Sequence, residues 1–69
     1  MPDDEQIAAN HLTDLRSEAR LTRAEAAGYS NPDTKAVMEG AADDLLATAR
    51  ALHRLLQKAG VKGLGEINY

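Results

Sequence analysis

The sequence predicts an all-α protein, an antiparallel two-helix hairpin dimerising into a four-helix bundle. Three observations carry this. Apolar residues recur at steps of three and four through two long stretches. A turn-forming segment, Gly28 to Pro32, separates them. The second stretch holds more large aliphatic side chains than the first can cover. All 69 residues are expected in one helical-hairpin domain, with a helix at about 4–27, a turn at 28–31, a helix at about 32–59 and a C-terminal tail at 60–69.

Asp3 or Asp4 suits the cap of the first helix. Its inward stripe reads Ala8, Leu12, Leu15, Ala19, Thr22 and Ala26. Ile7 and Leu21 lie off that stripe and lack cover. Gly28 closes the helix, and Pro32 biases Asn31 away from helical backbone, so the break is well specified. A connection this short makes the helices antiparallel neighbours, with residues whose numbers add to about 61 at the same height. Leu12 then faces Ala49, Leu15 faces Leu45 and Leu46, and Ala8 faces Leu52 and His53. The charges suit this register. Arg16 and Arg20 fall near Asp43 and Asp44, Arg23 near Glu39, and Asp3, Asp4 and Glu5 within reach of Arg54 and Lys58. Each exposed pair contributes only about 0–1 kcal/mol.

Asn31 is the expected cap of the second helix, with Pro32 and Asp33 in its first turn. One row, Met38, Ala41, Leu45, Thr48, Leu52, Leu55 and Ala59, has the repeat that keeps a stripe facing a partner helix. A second row, Val37, Ala42, Leu46, Ala49 and Leu56, lies beside it, so the apolar face is wider than one neighbour needs. Gly40, read as opposite Leu21, suggests room for a bulky neighbour. Gly60 occupies the place of a left-handed cap, with Val61 folding back on the last turn. In the tail, Gly63 and Gly65 oppose a third helix. Leu64, Ile67 and Tyr69 suit either a cap over the bundle or an anchor for a partner.

Thirteen residues are alanine, and there is no Phe, Trp or Cys, so a chain of this size buries little and a disulfide staple is excluded. Oligomerisation is the remaining staple. Leu45, Leu46, Leu52, Leu55 and Leu56 are therefore assigned to a homodimer interface. The alternative is a loose hairpin that orders only on a partner. The net charge of −3 gives no general pull toward nucleic acid or anionic membrane. No apolar run reaches the length of a membrane span, and the acidic MPDDEQ start is unlike a signal peptide. A cytoplasmic protein without a membrane partner is expected.

Catalytic constellations are not visible. Serines and threonines stand singly, and adjacent carboxylates such as Asp43 and Asp44 diverge by about 100° on a helix. His11 and His53 form no zinc-binding pattern, and His53 reads as a boundary or solvent-facing residue. No enzyme activity, cofactor or metal is expected. The expected function is a small protein–protein interaction module, a regulator, adaptor or inhibitor that binds the surface of a larger protein. Its candidate contact residues are Leu21, Tyr29, Leu64, Ile67 and Tyr69. The alternative is a dimeric nucleic-acid-binding regulator. That reading uses two basic rows, Arg16, Arg20 and Arg23 on the first helix and Arg50, Arg54 and Lys58 on the second.

Overall fold

A computed structural model describes residues 3–65. Two helices account for most of them, α1 (Asp4–Ala26) and α2 (Pro32–Lys58), packed side by side as a hairpin. Asp3 caps α1, its carboxylate accepting the Gln6 N–H at 2.8 Å. Asn31 caps α2, its side-chain oxygen accepting from the N–H groups of Asp33 at 2.9 Å and Thr34 at 3.2 Å. The two ends differ. α1 closes through tightened bonds, Gly28 N–H to the Glu25 carbonyl and Tyr29 N–H to the Ala26 carbonyl. α2 closes in a Schellman motif. The Gly60 N–H reaches the Gln57 carbonyl and the Val61 N–H reaches the Leu56 carbonyl, both at 3.0 Å, with Gly60 at φ 89°.

The seam is made of alanine. Ala19 and Ala26 of α1 and Ala42 and Ala49 of α2 are fully buried, joined by Leu12 and His53. In the expected register Leu12 stands level with Ala49 and Ala19 with Ala42, so the buried residues are those the hairpin brings to one height. On α1 the predicted stripe is the buried one: Leu12, Ala19 and Ala26 are buried and Ala8, Leu15 and Thr22 half-buried.

On α2 the seam runs through alanines of the second row, although Val37 of that row is exposed. Ala42 and Ala49 are buried, while Ala41, Thr48, Leu55 and Ala59 of the first row are exposed. Small side chains let two helices approach closely, and the buried Leu12 is accommodated because it faces Ala49. The large residues of α2 lie mostly on its flanks. Gly40 does not make room for a bulky neighbour as expected. A methyl group built there meets nothing within 4 Å, so Gly40 leaves open space toward solvent and accommodates no neighbour.

The hairpin is one helix deep. Its extents are 43 × 24 × 14 Å, and a helix with its side chains is about 10–12 Å across. The radius of gyration of 14.2 Å exceeds the roughly 11 Å of a compact chain of this length.

Candidate functional site

A helix turns about 100° per residue, and this assigns each side chain to one of the slab's two broad sides. Taking Ala19 and Ala49 as the inward direction, Leu15, Thr22, His11 and Ile7 of α1 share one side with Leu45, Leu52, Leu55 and Val37 of α2. Arg16, Arg20 and Arg23 share the other with His53, Leu46, Glu39, Arg50 and Asp43. The two sides differ sharply in chemistry.

The leucine side is open and carries most of the exposed aliphatic side chains, with Glu18 and Glu25 of α1 also falling on it. Leu15, Leu45 and Leu52 are half-buried, whereas Val37 is 69%, Leu55 64% and Ile7 54% exposed. The five leucines expected at a dimer interface do not lie on one surface. Leu45, Leu52 and Leu55 share this side. Leu46 falls on the arginine side, and Leu56 lies at the seam. Ile7 and Val37 complete the apolar surface. Sequence spacing contains that grouping, but periodicity does not rank the two rows of α2 as the seam.

The arginine side is a charged surface with an apolar floor. Arg16, Ala19, Arg20, Arg23 and Leu46 line an open cleft of about 220 Å³. Arg23 donates through Nη2 to the Asp43 carboxylate. Glu39 was the expected partner, and the correction has a geometric cause. A helical side chain leans toward its own N-terminus. On α1 that direction runs toward higher numbers on α2, so the long Arg23 arm passes Glu39 and reaches Asp43. Of the remaining basic residues, Arg50 lies on this side, whereas Arg54 and Lys58 rotate toward the back of α2. The two rows therefore do not form one continuous stripe.

His53 is a further correction. It is fully buried (0% exposed), not at a boundary. At its height α1 offers only the small Ala8 and Ala9, which leaves space for a ring. The tail then crosses over it. The Gly65 carbonyl stands 3.2 Å from His53 Nε2 and also accepts from the Gln57 side-chain amide at 3.2 Å. A carbonyl can only accept, so Nε2 carries the proton in this contact. Burial of the imidazole is thereby reconciled with its polarity. His11 is exposed on the leucine side, so the hairpin does not bring the two histidines together.

Among the predicted partner-binding residues, Leu21 (63% exposed) points away from both helices' seam, and Tyr29 is exposed at the turn. Leu64 is half-buried in the returning tail. Through Gly65 the tail thus behaves as a cover over α2. Ile67 and Tyr69 lie outside the described residues. Among the described residues, no group of three or more His, Asp or Glu is placed to hold a metal ion, and no helix is long and apolar enough to cross a membrane. Compared with known proteins, the chain matches no family model, no curated protein and no solved structure.

Proposed function

We propose that this protein is a non-enzymatic interaction module that works as a homodimer, two hairpins stacked through their leucine sides into a four-helix bundle, and regulates a larger protein by occupying its surface. One observation carries the reading: the seam consumes alanines and leaves Leu45, Leu52, Leu55, Val37 and Ile7 on one open side. Burying an alanine methyl contributes about 0.8 kcal/mol, against roughly 1.5–3 kcal/mol for a leucine side chain. The hairpin leaves Leu55, Val37 and Ile7 largely exposed and Leu45 and Leu52 only half-buried.

Two dimensions support a missing layer. Domains are built from at least two packed layers, and this slab is one. The accessible surface of 5031 Å² exceeds the roughly 4,200 Å² of an average monomer of this mass, in keeping with the thin slab. Leu21 and Tyr29 stay outside such a bundle and remain as contacts for a larger partner. Sedimentation equilibrium across the nanomolar to micromolar range tests the dimer. A folded monomer throughout that range sinks it.

A second reading, nucleic-acid binding through Arg16, Arg20, Arg23 and Arg50, draws on the shared side of those four residues. Against it, Arg54 and Lys58 lie elsewhere, and Asp43 and Glu39 sit among the arginines. Retention of RNA or DNA in a filter-binding assay at low salt would favour it, with affinity falling steeply as salt rises.

A further inference from the structure

Dimerisation through the leucines leaves the opposite side open, and that side holds the cleft of Arg16, Ala19, Arg20, Arg23 and Leu46. We propose that this cleft binds an acidic segment of a partner protein, one that carries an aliphatic side chain between its carboxylates. The inference names the partner chemistry of the interaction module proposed above and rests on that reading only in needing this side uncovered.

Three features define the ligand. First, the guanidinium groups come from positions 16, 20 and 23 of α1, which lie within about 10.5 Å along the axis at 1.5 Å per residue. That span matches about three residues of extended chain, so carboxylates a few residues apart can reach different arginines. Planar guanidinium groups bind carboxylates through paired N–H donors. Second, the hairpin contains an internal example of the same recognition, because Arg23 already holds the Asp43 carboxylate. Arg20 is exposed and has no ion-pair partner among the described residues. Third, the floor is the Ala19 methyl and the Leu46 side chain. An aliphatic side chain buries surface there, whereas a sugar–phosphate backbone has nothing to place on it.

Asp43 and Glu39 decide between an acidic peptide and a nucleic acid. Both carboxylates lie on this side of α2, level with the arginines of α1. A polyanion with unbroken charge runs past them and is repelled. A segment with spaced carboxylates can meet the arginines and avoid them. Asp43 also competes with any incoming carboxylate for Arg23, so its removal opens the site.

Fluorescence anisotropy on the full chain tests this with three labelled probes: the peptide EEDLEDLEE, its neutral counterpart QQNLQNLQQ, and a single-stranded RNA of mixed sequence, all at low salt. The acidic peptide is expected to bind at least about tenfold more tightly than the neutral one. Arg20→Gln should weaken it about tenfold, and Asp43→Asn should tighten it severalfold. Opposite effects of two exposed substitutions distinguish a site from loss of folding, and helicity of each variant is checked by circular dichroism. Equal binding of the two peptides, or an Arg20→Gln variant that binds as before, overturns the proposal. RNA binding tighter than the acidic peptide, and weakened by the same substitution, also overturns it and assigns the cleft to nucleic acid. Sedimentation of the same samples keeps the two proposals apart: a monomer that binds the peptide refutes the dimer and leaves the cleft standing.

Discussion

The two broad sides of this hairpin are built from the same two helices, yet they solve the problem of a thin protein differently. On the arginine side, long side chains and the returning tail cover the seam. Arg23 reaches Asp43, and Gly65 receives hydrogen bonds from His53 and Gln57. On the leucine side no segment of the described chain crosses over, and Leu55 and Val37 stand in solvent. Both sides flank one alanine seam. The lesson is that a close seam can set topology while contributing little apolar burial, and the surface it displaces becomes the part available for assembly.

The seam is the feature both sides share, so enlarging it is expected to have the largest effect. Ala42 is fully buried, and Ala42→Leu forces the helices apart at a cost of about 3 kcal/mol. For a domain of this size that lowers the melting temperature by more than about 10 °C, read by circular dichroism. An unchanged melting curve means the helices do not approach closely at this point.

Next in size is the leucine side. Leu52→Asp with Leu55→Asp should raise the dissociation constant of the proposed dimer at least about a hundredfold, or about 2.7 kcal/mol. The double variant should leave the peptide affinity of the arginine side as it was. A dimer as tight as the parent's locates the interface elsewhere.

His53→Ala sharpens the contrast from the other side. It removes a buried ring and one of the two hydrogen bonds at Gly65, with an expected cost of about 2 kcal/mol. Hydrogen exchange would report faster exchange in the last turns of α2 and in the tail. Stability equal to the parent's argues that the tail does not seal this side.

The smallest effects belong to outer positions. Gly40 faces open space inside α2, and Gly40→Ala should stabilise the fold by about 0.5–1 kcal/mol. A loss of stability would mean that the assembly needs the bare backbone there. A double-mutant cycle on Arg23 and Asp43, both more than half exposed, should return a coupling of about 0–1 kcal/mol. Larger coupling would show that the pair holds the register and is not merely a consequence of it.

Local chemistry made much of the molecule legible. Asn31, Pro32 and Gly60 marked α2's ends because capping depends on a few adjacent residues. The α1 stripe was legible because α1 has only one apolar row to choose. α2 has two rows of similar size, and periodicity alone does not rank them. The arginine cleft was half visible: the row Arg16, Arg20, Arg23 could be read along one helix, but Leu46 as its floor required the partner helix. Burial of His53 left no local signal, since its cover comes from a tail that crosses back over α2.

By itself, then, the sequence determined where the two helices begin and end, that they turn back on each other, and which residues stand at the same height. Those properties follow from caps, turns and counting. Tertiary structure alone decided which row of α2 faces inward, and with it which leucines are left outside and what floors the cleft. The reason is the distance between the helices. Alanine faces alanine where Ala19 meets Ala42, and Leu12 is buried where it faces Ala49, so which side chains fit the seam is a property of the pair, not of either helix.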